Sequence, residues 1–254
     1  MDMLATTSPL QSLSAQRDPA VLGPVVGAQT WRDLLFLHWA LDADAVQRLL
    51  PSGLTAHTFG GRAYVGIVPF AMARVRPRFL PPLPWLSWFL ELNVRTYVHD
   101  ANGVPGVWFH SLDCNQPIAV EIARRAFHLP YEHAIMRADR TGKALRYACQ
   151  RRGQHGSAWR YAWDTEGPGN PAAPGSLEEF LVERYVLYSV DRAGRLYRGR
   201  VSHSPYRIHV PRVDQFDIGP AALAGYELDG PPVSVLAAEP VNVSIHPLRR
   251  LGAL

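Results

Sequence analysis

The segment Glu91-Leu92-Asn93-Val94-Arg95-Thr96-Tyr97-Val98 alternates between polar and apolar side chains without a break. A side-chain period of two belongs to a β-strand. Leu92, Val94, Thr96 and Val98 must therefore face one way, and Glu91, Asn93, Arg95 and Tyr97 the other. Asn102-Gly103 follows as a turn signal, and Gly106 to Leu112 reads as a returning strand, so the spacing predicts a β-hairpin. On its second strand the same period predicts Trp108, His110 and Leu112 on one side, with Val107, Phe109 and Ser111 on the other. The polar face of the first strand carries the chemistry: a carboxylate, an amide, a guanidinium and a phenol in line.

The flanking chain reads mainly as strand. Leu34 to Leu41 is an apolar run of strand length, and Arg62 to Met72 is β-rich, with Pro69 suggesting a bulge or an edge. Between them Asp42 or Asp44 can cap a short helix that Pro51 ends. Pro117 to Phe127 is helical by the spacing of Ile118, Ile122 and Ala126, and Ser176 to Glu179 resembles a capping box. Further strands are expected at Ala144 to Gln150, Ser157 to Trp163 and Tyr185 to Val190, with Gly167 to Gly175 as a mobile connection. The outcome is one β-rich α+β domain over residues 30–247, with a flexible extension at 1–29 and a tail at 248–254.

Composition removes several classes of function. No apolar run approaches the roughly 18 residues of a membrane span, and the N-terminus lacks the basic start and apolar core of an export signal, so a cytoplasmic protein with no membrane partner is expected. Cys114 and Cys149 imply neither a disulfide framework nor a metal cluster. A net charge of +4 raises nucleic acid, and Arg74, Arg76 and Arg78 alternate as if on one strand face. A solvated face explains them equally, no nucleic-acid motif accompanies them, and nucleic acid is not expected as a partner. G-x-S-x-G, GxGxxG and P-loop patterns are absent, and no cofactor is expected. His203 and His209 share no metal spacing with Cys or carboxylates, so no metal site is expected either.

The succession W31RDLLFLHW39, V68P69F70, E91LNVRTYV98, G106VWFHSLD113, R125AFHLPY131, L177EEFLVERY185 and H203SPY206 resembles the YqjF-like family of uncharacterised proteins, over roughly Ala28 to Val243. That family is in turn similar to acetoacetate decarboxylases. The resemblance, not the periodicity, implies a cone-shaped antiparallel β-barrel with a few flanking helices. It matches Arg32 to the decarboxylase arginine and Glu91 to its glutamate. Pro130-Tyr131-Glu132 stands where those enzymes carry Pro-Lys-Lys, their source of the Schiff-base lysine. This chain has one lysine, Lys143, in what reads as an exposed turn, and arginine cannot form an imine. Decarboxylation through an imine is therefore not carried over.

What remains is a small-molecule protein for a carboxylate or carbonyl metabolite, or an acid-base enzyme of lyase or isomerase type. The alternative is a non-catalytic binding or interaction protein on the same barrel. Glu91 and Tyr131 are the candidate acid-base groups, with Arg32, Arg95, His110 and Glu132 as candidate binding residues. Each has a structural reading too. Glu91 can be half of a barrel ion pair, Tyr131 a core tyrosine, and His110, like His38, a hydrogen-bonded core histidine. The apolar, proline-rich Phe79 to Leu90 can wall a pocket or pack against a second copy of the chain in a homo-oligomer.

Overall fold

The hairpin forms as the alternation requires. In a computed structural model that describes residues 10–252, Phe89–Asp100 and Pro105–Cys114 pair antiparallel, from Glu91–Cys114 to His99–Pro105. In chain order the strands are β1 Gly27–Arg32, β2 Leu34–Leu41, β3 Leu54–Ala56, β4 Ala63–Pro77, β5 Phe89–Asp100, β6 Pro105–Cys114, β7 Tyr131–Thr141, β8 Ala144–Arg151 and β9 Trp159–Asp164. There follow β10 Asn170–Pro171, β11 Val186–Val190, β12 Leu196–Ser202, β13 Arg207–His209, β14 Val213–Gln215, β15 Ser234–Ala238, β16 Val241–Ile245 and β17 Arg249–Arg250. The helices are α1 Ala43–Gln47, α2 Pro117–Ala126, α3 Leu177–Val182 and α4 Gly219–Leu223.

Pairing closes these strands on themselves. The ladder runs β16–β1–β4–β5–β6–β11–β12 and returns to β16, antiparallel throughout except for the parallel β6–β11 contact. Closure removes the free edges that an open sheet would expose. One branch, β2–β15–β13–β10, leaves the ring from β4, and a second sheet, β7–β8–β9–β14, leaves it from β6. Alternation then sorts the side chains. Leu34, Phe36, Val68, Phe70, Tyr97 and Leu112 fill the interior, whereas Leu35, Leu37, Val65, Ile67, Leu92 and Val94 face outward against Tyr147, Tyr161 and Trp163 of the second sheet. Each fully buried side chain of this kind contributes roughly 1.5–3 kcal/mol. α3 caps the interior with Phe180, Leu181 and Val182.

Several local expectations hold for visible reasons. Asp42 caps α1 by accepting from the amides of Asp44 and Ala45, and the Ser176 hydroxyl accepts from the amide of Glu179 at the start of α3. Pro69 lies inside β4, but the β2–β4 ladder stops at Leu37–Ile67 and the β1–β4 ladder starts at Arg32–Ala71. Pro69 pairs with Leu92 of β5 on one side, and on the other lies in the gap between two partners, an edge-like position.

Others are corrected. The β5–β6 register passes from Val94–Ser111 directly to Arg95–Phe109, so His110 is an extra, bulged residue. That slip moves Val107 and Phe109 to the same interior as Leu112, and Trp108, His110 and Leu112 do not share a side. Arg74 and Val75 likewise bulge opposite Gln29, with Arg74 at φ 55°, which breaks the one-faced Arg74-Arg76-Arg78 array. Gly167 to Gly175, expected as a connection, contains β10. Ile118 and Ile122 of α2 are exposed while Val120 is buried.

Residues 1–9 and 253–254, the outer parts of the expected extension and tail, lie outside the described residues. From Leu10 the extension makes two 3₁₀ turns, Ser14–Arg17 and Pro19–Val21, and Gln16 is buried. β1 begins within the stretch assigned to the extension and β17 within the assigned tail. No helix among the described residues is long and apolar enough to cross a membrane.

Gly106 shows how tightly the ring is closed. A Cβ there would lie 2.7 Å from a Tyr188 ring carbon and 2.8 Å from the Val186 carbonyl oxygen. The second contact is backbone and cannot swing away. Gly106→Ala is expected to destabilise the protein by about 1–3 kcal/mol, as overpacking does, read as a lower urea midpoint at unchanged slope.

Candidate functional site

The interior face of β5 places Glu91, Asn93, Arg95 and Tyr97 in line, all buried. The opposite side of the site comes from β7, which joins β6 in parallel with Leu112 beside Tyr131. Arg124, in the last turn of α2, fixes that entry, its Nε donating to the Tyr131 carbonyl at 2.6 Å. The Tyr131 phenol then donates to Glu91 Oε2 at 2.6 Å.

Glu91 is 3% exposed, and burial pushes its carboxyl from the usual 4.5 up to about 7. Hydrogen bonds from Tyr131 and Asn93 pull it down, and the nearby Asp113 charge adds to the rise. The same burial holds Tyr131 well above 10, so its phenol stays protonated. A carboxyl near pH 7 beside a phenol that does not ionise is an arrangement suited to proton transfer.

Behind this pair, on the outward face, Arg151 of β8 grips Asp113 of β6 with Nε at 2.6 Å and Nη2 at 2.8 Å. Burial still holds Asp113 above the usual carboxylate value, against the bonds from Arg151. Cys114 and Cys149 are free buried thiols nearby, both raised chiefly by burial, Cys114 to about 12.

Further along β5, two guanidiniums flank Tyr97. Arg95 lies 5.6 Å and Arg184 4.9 Å from its ring centre, and both are buried. Their acceptors are the Leu181 carbonyl and Tyr97 hydroxyl for Arg95, and the Phe180 carbonyl and His57 Nδ1 for Arg184; no carboxylate is among them. Burial first, with the Arg95 charge adding to it, lowers Arg184 to about 9. Tyr97 donates to the Leu181 carbonyl at 2.8 Å and so accepts from His38 Nε2 at 2.7 Å. Burial, helped by Arg95, keeps His38 neutral. His38 and Arg95 meet across Gly66, where a Cβ would lie 3.0 Å from the imidazole and 3.6 Å from Arg95 Cγ. A larger residue there would push the two apart.

The structure brings Glu91, Tyr131 and Arg95 to one interior, and sets the other sequence candidates elsewhere. Arg32 pairs with Ala71, one position away from the Phe70 that pairs with Glu91, so its side chain takes the outward face, half exposed, 3.8 Å from Asp33. Its neighbour Trp31 packs inward in its place, against Phe70 and Tyr206. Glu132 alternates with Tyr131 and bonds Arg124 at the surface, 3.0 Å away. His110, in its bulge, meets the Tyr226 hydroxyl at 2.6 Å. Lys143 lies in the β7–β8 turn, 63% exposed, 3.6 Å from Asp164. Sequence reasoning did not single out Arg184 or Trp31 as site residues, although both stand in the segments that carry the family resemblance. Nor did it find Asp113 with Arg151.

The interior is polar beyond its internal bonding. Asn93 Oδ1, Arg95 Nε, Arg184 Nη2, Trp31 Nε1 and His203 Nε2 are all buried without a hydrogen-bond partner. Leaving such an atom unpaired costs about 1–3 kcal/mol, more when the group is charged, so the interior carries polar groups that its own side chains leave unanswered. Among the described residues no group of three His, Cys, Asp or Glu side chains is placed to hold a metal ion.

Comparison with solved structures gives the same architecture. MppR, an enduracididine biosynthesis enzyme, was solved with HEPES buffer bound; it superposes with a TM-score of 0.62 at 16% identity over 92% of this chain and 91% of its own. A complex of MppR with pyruvate gives a TM-score of 0.61 at 17% identity over 92% and 93%. Acetoacetate decarboxylase from Legionella pneumophila subsp. pneumophila str. Philadelphia 1 gives 0.62 at 11% identity over 96% of both chains. At these identities the likeness is one of fold: a mainly β, acetoacetate decarboxylase-like barrel. In sequence, the uncharacterized protein YqjF of Bacillus subtilis (strain 168) is 39% identical over 178 residues, covering 70% of this chain and 73% of YqjF. Residues 28–242 match the family model described as an uncharacterized conserved protein. The chain therefore belongs to the DUF2071 family.

Proposed function

We propose that the barrel interior binds a small carboxylate that also carries a carbonyl or hydroxyl, and that Glu91 and Tyr131 act on it as an acid-base pair. The observation that carries this reading is the Glu91 carboxyl, buried, raised to about 7 and bonded at 2.6 Å to a phenol that stays protonated. Arg95 stands four residues along the same strand face, roughly 13 Å away between Cα atoms at strand rise. Arg95 Nη2 is held by the Leu181 carbonyl and the Tyr97 hydroxyl, and its Nε, buried without a partner, is the donor left for a ligand. Arg95 then holds the carboxylate. Glu91 takes a proton from the carbon next to the carbonyl, and the electron pair moves to the carbonyl oxygen, where the Tyr131 hydroxyl donates to it. The pyruvate complex of the fold neighbour MppR supports the ligand class.

Thermal-shift screening against oxo and hydroxy acids tests binding, and loss of α-protons into D2O, followed by NMR, tests the chemistry. Binding is expected to fail in Arg95→Met and persist in Arg32→Ala, whose side chain faces outward. Exchange is expected to fall at least a hundredfold in Glu91→Gln, the scale of one general base. Hits that bind Arg95→Met and Glu91→Gln as well as the parent protein would move the site elsewhere.

An imine route is excluded from this reading by the exposed, Asp164-paired Lys143. Borohydride treatment with β-keto acids is expected to leave the protein mass unchanged; an adduct on Lys143 would overturn that. A subunit contact is a second proposal, supported by the apolar segment after β4, where Phe79 is 86% and Trp85 65% exposed. Light scattering of the parent and of Trp85→Ser checks it: a monomer in both would remove it.

A further inference from the structure

We infer that the end of the barrel beside β12 and β17 holds a second anion site, for a phosphoryl group, separate from the Glu91–Tyr131 interior. Strand period sets its geometry. Arg198 and Arg200 are two apart on β12 and share a face, and β17 brings Arg249 directly opposite Arg198. Like charges opposed across a ladder repel. The three arginines line a cavity of about 380 Å³ together with His246, Asn102 and Gln11, and none of the lining residues is acidic.

Internal compensation is incomplete. Asp100 Oδ2 accepts from Arg198 at 3.2 Å, Arg200 bonds the neutral Gln16 Oε1 at 2.7 Å, and Arg249 Nη2 lies 3.3 Å from where a Cβ on Gly23 would stand. Among the described residues, one carboxylate bonds this set of three guanidiniums, through Arg198. Burial, then the charges of Arg198 and Arg249, lower Arg200, which an anion in the cavity would reverse. The wall is fixed: His246 bridges the Gly23 carbonyl at 2.7 Å and the Ser202 hydroxyl at 3.0 Å, tying the N-terminal segment to β12 and β16.

The chemistry selects the ligand class. Three guanidiniums on one cavity, one of them paired to a carboxylate outside its lining, suit a dianion whose oxygens accept bidentate bonds, and the volume is that of a small-molecule site. A phosphate group with a small organic remainder fits. The site also lies at the other end of the hairpin, since Glu91 and Asp100 are nine residues apart along β5, roughly 30 Å at strand rise.

Titration with inorganic phosphate and with glycerol 3-phosphate, at ionic strength held constant with chloride, tests the inference. A saturable rise in Tm is expected, roughly 5–10 °C at a hundred times Kd. Arg249→Gln, on an exposed side chain, and Arg200→Gln should each weaken binding at least tenfold. Arg249→Gln should also leave the unliganded Tm equal or higher, because repulsion is relieved. Glu91→Gln should bind phosphate unchanged, so failure here is distinguishable from failure of the oxo-acid site. Tighter binding of the monoester would identify an organic phosphate as the occupant, and equal binding the free ion. No saturable shift with either, or undiminished affinity in Arg249→Gln, would overturn the inference.

Discussion

Arg151→Met is expected to destabilise the protein by about 3–5 kcal/mol, the cost of leaving a buried carboxylate without its partner. Asp113 is fully buried on the side-chain scale, and its two bonds at 2.6 and 2.8 Å both go to Arg151. The replacement keeps most of the aliphatic stem and so isolates the charge. The double variant Asp113→Leu with Arg151→Met should recover most of the loss, since a packed apolar pair of similar volume has no charge to desolvate. Urea unfolding of the parent, both single variants and the double variant closes the cycle. Equal losses in Arg151→Met and the double variant would mean that the pair contributes only packing.

How much of this was legible in the sequence follows from the kind of signal each part carries. The β5 face was readable because burial on both sides still leaves a strict period of two. Asn102-Gly103 fixed its turn, and Asp42 and Ser176 fixed two helix starts. Alternation alone misplaces His110, because a bulge inserts one residue and inverts every side beyond it, and nothing in Gly106 to Leu112 announces the slip. Closure was not readable either. The β6–β11 and β12–β16 contacts join residues about 45 to 80 positions apart, and local periodicity says nothing of such partners. The resemblance to decarboxylases supplied that part.

The candidate site divides in the same way. Glu91 and Tyr131 were found through their matched positions, and their 2.6 Å contact follows from the parallel β6–β7 pairing. Arg32 was found through its motif, yet one step of strand alternation turns it outward and Trp31 inward. Arg184 lies just beyond a six-residue helix and has no periodic partner to mark it. Only three-dimensional placement shows it beside Tyr97, buried and short of a carboxylate.

The largest pH-dependent effect is expected at Glu91. Its carboxyl titrates near 7 in the folded protein and near 4.5 when unfolded, so between those values the folded state holds a proton that the unfolded state does not. Stability from this group is complete below about pH 4.5, falls as pH rises, and is lost above about pH 7. A shift of that size corresponds to about 3 kcal/mol. A glutamine side chain at this position keeps the shape and can accept from Tyr131 but never ionises. The Glu91→Gln variant should therefore match the parent near pH 4.5 and exceed it by up to about 3 kcal/mol at pH 8, roughly 6–12 °C in Tm. His57, His110 and His203, lowered to about 3, 4 and 4 chiefly by burial, give both proteins the opposite slope below pH 6.5. The difference between the two curves removes that shared part. Parallel curves from pH 4.5 to 8 would show that Glu91 titrates normally. A variant that is more stable at pH 8 and has lost α-proton exchange would instead show a buried carboxyl kept at a cost to stability because the site uses its proton.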